Sequence, residues 1–155
     1  MFRGLRGFVS GVALAGFTLA GTAVASAQEA AKPVLTLEGD ATVMIVLIKP
    51  DKTADFEAVL AALKDALQKS DTPEAKQQAA GWRIVKGLKP QPDGTIVYTH
   101  IISPVVKGAD YSVLQNIYTV VKDPTEQRAL YDKYAGAFAA TLLQVPFTMV
   151  TDFGK

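Results

Sequence analysis

The chain has no cysteine, one histidine, one tryptophan and few aromatic residues of any kind. Without cysteine there is no disulfide framework, no thiol nucleophile and no residue to acylate as a lipoprotein anchor. A lone histidine and no thiol leave mainly carboxylates as metal ligands. No EF-hand or His-Glu-x-x-His spacing occurs, so neither a metal nor a cofactor is expected. Glycine-rich phosphate loops are missing too, and Lys107-Gly108-Ala109-Asp110 is a turn into a helix. Basic residues form no run or cluster outside the N-terminal segment, which excludes a nucleic-acid footprint and a polybasic lipid-binding surface.

What is present begins at the N-terminus. Arg3 and Arg6 precede an uncharged stretch that lasts to Ala27, with an apolar run over Gly7–Gly21 and the small-x-small sequence Ala25-Ser26-Ala27. That pattern predicts a signal peptide over residues 1–27, cleaved before Gln28. The stretch approaches the length of a membrane span, but its glycines, hydroxyls and cleavage box favour removal over retention. The expectation is an exported protein, periplasmic or secreted and soluble, with no membrane attachment after cleavage. Cleavage would remove two of the sixteen basic side chains against fifteen acidic ones, leaving the mature chain close to neutral.

Residues 28–40 read as an N-terminal tether with a short strand at Val34–Leu37, ahead of one domain over 41–155. Ala41–Ile48 is apolar on both parities from Val43 onward, the mark of a strand covered on both faces. Thr53 is a candidate N-cap for a helix whose stripe is Phe56, Val59, Leu60, Leu63 and Leu67. Thr72-Pro73-Glu74 starts a second helix that Gly81 closes. Trp82–Leu88 and Thr95–Ser103 read as a hairpin across a Pro and Asp-Gly turn. Asp110 is a candidate N-cap for a helix over Tyr111–Val121. Asp123-Pro124-Thr125-Glu126 opens a longer one, with Leu130, Tyr134, Ala137, Phe138, Thr141 and Leu142 as its inward stripe. Pro146 would stop it, leaving Phe147–Asp152 as the last strand.

The order β-α-β-β-α-β predicts an α+β, ferredoxin-like fold: an antiparallel four-stranded sheet with helices on one face. Such a sheet should be polar on its open face, yet Val43–Ile48, Val97 and Ile101 are not. A second copy packed sheet to sheet is the economical cover, so a homodimer is expected.

Thr42–Leu67 (TVMIVLIKPDKTADFEAVLAALKDAL) and Gly81–Ile102 (GWRIVKGLKPQPDGTIVYTHII) resemble the dimeric α/β-barrel superfamily, in particular its antibiotic-biosynthesis-monooxygenase-like branch. The resemblance runs from about Thr42 to Asp152. It implies a homodimer with a cavity between each sheet and its helices. No reaction is implied, because members include oxygenases, haem-degrading enzymes, isomerases and proteins without known activity. The haem-degrading members use an Asn on the first strand, and this chain has none there. Cofactor-free oxygenases surround a flat phenol with Asn, Trp, Tyr and Arg, types represented here by Asn116, Trp82, Tyr98 and Arg83.

His100 and Tyr98 share one strand face and are the candidate catalytic pair, since any intrachain histidine proton transfer must use His100. The competing reading is a core histidine satisfied by a neighbour. Trp82, Arg83, Asn116 and Tyr118 are the candidate ligand-binding residues. Against them stand core packing for Trp82 and Tyr118, an edge-strand charge for Arg83 and a solvent-facing amide for Asn116. Two functions are therefore expected as alternatives. One is an exported homodimeric domain holding a small apolar or aromatic ligand in a sheet–helix pocket. The other is a cofactor-independent monooxygenase acting on a small aromatic compound.

Overall fold

Strand β1, Ala41–Ile48, is the doubly apolar run, and it lies inside the sheet with a partner on each side. The structure is a computed structural model and describes residues 33–154. The leader expected over 1–27, with the first residues of the tether, lies outside them. Pro50–Lys52 forms a single 3-10 turn that runs straight into α1, Thr53–Lys69. Thr53 is therefore the first helical residue and not a cap. The fixed φ of Pro50 starts the helical path three residues earlier than the side-chain pattern suggests.

Helix α2, Pro73–Gly81, is capped as expected, with Thr72 Oγ1 accepting from the Ala75 N–H at 3.3 Å. It runs directly into β2, Trp82–Lys86, which turns back as β3, Ile96–Ile102. Helix α3 is one short piece, Val113–Tyr118, where a longer helix was expected. Helix α4, Pro124–Ala137, begins on Asp123, whose Oδ1 accepts from the Glu126 N–H at 2.8 Å.

The largest correction falls at the end of α4. The helix expected to run toward Pro146 stops at Ala137, and Phe138–Phe147 is strand β4. Its pairing with β1 slips twice, so the partners of Ile48, Val46 and Met44 are Phe138, Thr141 and Gln144. A bulged strand thus presents every third residue to one face over this stretch. That spacing imitates a helical stripe, which is why the sequence pattern misleads here.

The protein is α+β, with one antiparallel sheet in the order β2-β3-β1-β4. Every buried strand side chain among the described residues (Thr42, Val46, Ile48, Tyr98, His100 and Ile102) lies on one face. Phe56 of α1 and Ala137 of α4 pack on that face with Val46, Ile48 and Tyr98. A second cluster joins α1, α2 and α3 through Val59, Leu63, Leu67, Ala75, Val113 and Ile117. The opposite face carries Val43, Ile45, Leu47, Val97 and Ile101, all only half-buried. Val85, Leu143 and Phe147 there are 50%, 49% and 46% exposed.

Residues 33–40 form no strand, yet they are docked. Leu37 is buried with Ile102, Val105 and Tyr111. Gly39 then turns the chain into β1 with φ +74°, where an added Cβ would stand 2.5 Å from the Phe147 carbonyl oxygen. Only glycine tolerates both conditions.

Candidate functional site

The register of β2 against β3 places Ile84 opposite His100 and Lys86 opposite Tyr98. Trp82, Ile84, Lys86, Tyr98 and His100 therefore share the helix-covered face. Across the diagonal, Trp82 Nε1 donates to His100 Nδ1 at 3.2 Å. An indole N–H can only donate, so Nδ1 is the bare nitrogen and the imidazole proton sits on Nε2. Burial pushes the His100 pKa down to about 4, and the ring is neutral near pH 7.

No buried side-chain nitrogen or oxygen among the described residues lacks a partner. His100 Nε2 has no protein partner there, so it faces open space. That space is a cavity of about 430 Å³ between sheet and helices, lined by Met44, Val46, His100, Val113, Leu114, Tyr134 and Phe138 among others. Its wall is mostly apolar. Burial pushes the Tyr134 phenol up to about 12. The Tyr134 ring stacks 6.1 Å from Phe56 and meets Phe138 edge-on at 4.8 Å. At neutral pH His100 thus offers an N–H donor to a mostly apolar wall that also carries Ser112, Thr141 and Gln144. The cavity contains no proton acceptor from His100, because the free nitrogen already carries its hydrogen.

A second cavity, about 470 Å³, lies between α1 and β2. Leu60, Leu63, Leu67, Ala79, Trp82 and Ile84 form its apolar wall, with Glu57, Lys64, Gln68, Lys86 and Tyr98 also lining it. Glu57 Oε1 accepts from the Tyr98 hydroxyl at 2.5 Å and pairs with Lys86 Nζ at 2.8 Å. The Lys86 hydrogen bond, then that of Tyr98, holds the Glu57 carboxyl below the usual range. Burial chiefly, and then donation to Glu57, raises the Tyr98 phenol. Trp82 stands between the cavities, lining this one while touching His100 and, at 5.3 Å between ring centroids, Tyr111 of the other.

The sequence candidates separate accordingly. Trp82 and His100 are joined, whereas Tyr98 points its hydroxyl to the α1–β2 cavity and His100 faces the interlayer cavity. Tyr98 and His100, which share a strand face, therefore line different cavities. Arg83 projects, exposed, from the far face of the sheet, as strand parity requires. Asn116 is half-buried and its amide is turned to the backbone: its Nδ2 donates to the carbonyls of Asp110 at 2.6 Å and Ser112 at 2.9 Å, tying α3 to its own approach. Tyr118 donates to the Gln127 carbonyl at 3.1 Å and links α3 to α4. Neither lines either of these two cavities.

Glu57, Lys86 and Tyr134 are the site residues that sequence reasoning passed over. Lys86 shares strand parity with Trp82, which was a usable signal. Glu57 resembled an ordinary first-turn acid, and nothing in the sequence pairs it with a strand two elements away. No protein-family model, curated protein or solved structure matches the chain.

Proposed function

We propose that this is an exported, homodimeric binding domain of ferredoxin-like, dimeric α/β-barrel type, holding a small flat apolar or aromatic ligand in the interlayer cavity. One observation carries the binding reading: a neutral His100, oriented by Trp82, offers its Nε2–H to a mostly apolar cavity. A ligand with an aromatic body and one oxygen acceptor satisfies that donor, and about 430 Å³ is an ordinary size for such a site. The chemistry favours binding over proton removal, since Nε2 cannot take a proton it already holds.

The strand order β2-β3-β1-β4, antiparallel throughout, supports the ferredoxin-like assignment. The half-exposed apolar sheet face supports pairing with a second copy. Arg3, Arg6, the apolar run and the Ala25-Ser26-Ala27 box support export. Among the described residues no helix is long and apolar enough to cross a membrane.

Titration with 2-naphthol, followed by the ring nitrogen resonances of the sole histidine, tests the binding site. The expected result is a saturable shift of Nε2 that Leu114→Phe, which narrows the cavity, weakens. Binding that leaves the His100 ring unmoved, or that ignores Leu114→Phe, overturns the assignment.

A further inference from the structure

The α1–β2 cavity is a separate site with its own chemistry. Its wall is a strip of leucines on α1, Leu60, Leu63 and Leu67, facing Trp82 and Ile84 of β2. Glu57 and Gln68 mark the ends of the α1 lining, which at about 1.5 Å per residue corresponds to roughly 16 Å along the helix. That length suits an extended chain.

Its charge is uneven. Glu57 is already matched by Lys86 at 2.8 Å and by the Tyr98 hydroxyl at 2.5 Å. Two turns further along α1, Lys64 lines the same cavity, and no carboxylate pairs with it among the described residues. Gln68, one turn on, adds an amide donor. The slot therefore combines an apolar floor with an unmatched cation at the Lys64 end.

We infer that the α1–β2 cavity binds an amphipathic monoanion, a single carboxylate on an unbranched apolar chain, with its head at Lys64 and its chain along Leu60, Leu63 and Trp82. The site shares no lining residue with the interlayer cavity, and Trp82, the only tryptophan of the chain, lines it.

The test follows Trp82 emission during titration with decanoate, decanol and decyltrimethylammonium, each below its micelle concentration. Decanoate should shift the emission and bind about threefold to fivefold more tightly than decanol, the scale of an exposed ion pair. The cation should bind worst. Lys64→Gln should abolish the preference for decanoate and Lys64→Arg should keep it. Lys69→Gln, which removes the exposed partner of Asp65, should change nothing. Leu114→Phe in the interlayer cavity should leave decanoate binding intact, so failure of one site is separable from failure of the other. Equal affinity for decanoate and decanol, a preference surviving Lys64→Gln, or binding to phosphatidylglycerol vesicles without a response to monomeric decanoate would each overturn the proposal.

Discussion

Trp82 Nε1 lies 3.2 Å from His100 Nδ1 and donates to it, which fixes both the tautomer and the orientation of the only histidine. The ring is 3% exposed, and burial lowers its pKa from 6.5 to about 4. In the unfolded chain the same ring protonates near 6.5. Between the two values the unfolded state holds more protons than the folded one, so stability must fall as pH falls. The contribution is fully present above pH 6.5 and is lost progressively toward pH 4, roughly 3 kcal/mol in all. Urea midpoints measured from pH 7 to pH 4 should show this loss, and His100→Gln should flatten that part of the profile. A wild-type profile that is level across this range would contradict the buried neutral ring.

Phe56 is the centre of the sheet–helix packing. It is fully buried, and its ring lies 4.9 Å from Tyr98, 5.7 Å from Phe138 and 6.1 Å from Tyr134. Phe56→Ala removes all three ring contacts and leaves a cavity, at a cost of about 3–5 kcal/mol. Against a total stability of about 5–15 kcal/mol, this is a large loss. Chemical denaturation should record it as a lower midpoint. A cost under about 1 kcal/mol would mean that the four rings do not pack as one cluster.

How much of the fold and site was legible depends on the distance over which each residue finds its partner. Phe56, Val59, Leu63 and Leu67 declare themselves through a local 3.6-residue period, and α1 buries all four. Trp82 and His100 could be placed on one face by strand parity and the hairpin alone. The boundary between α4 and β4 was not readable, because two register slips against β1 give Phe138, Thr141 and Gln144 a helix-like spacing. Only the pairing partner reveals the bulges. The same holds for Glu57 and Tyr98, which are 41 residues apart in sequence and meet only when α1 lies on the sheet.

The far sheet face gives the prediction that tests pairing. Val85 and Leu143 stand about half exposed on it, beside half-buried Val43, Ile45, Leu47, Val97 and Ile101. If a second copy covers this face, charges placed there meet like charges on the partner and lose solvation. Val85→Glu with Leu143→Glu should convert a dimer to a monomer by light scattering. Because both side chains are already half exposed in the single chain, secondary structure by circular dichroism should be retained. A wild-type protein of monomeric mass would defeat the pairing itself.

Asp110 has a role that differs from the helix cap its sequence position suggests. Helix α3 begins only at Val113, and Ser112 occupies the cap without a side-chain bond. The Asp110 carboxylate instead accepts from the backbone N–H groups of Val34 at 2.9 Å, Leu35 at 3.1 Å and Ser112 at 2.8 Å. Its carbonyl receives the buried Gln78 side chain at 2.8 Å and Asn116 at 2.6 Å. The side chain thus holds the segment before β1 while the backbone ties α2 to α3. Substitution reaches only the side-chain half of this arrangement. Asp110→Ala should cost about 1–3 kcal/mol for the lost charge-assisted bonds. Hydrogen exchange at Val34 and Leu35 should accelerate far more than exchange in β3. Asp110→Asn, which keeps one acceptor oxygen, should fall between the two. Unchanged protection at Val34 and Leu35 in Asp110→Ala would show that Leu37, buried against Ile102 and Tyr111, is enough to hold the segment alone.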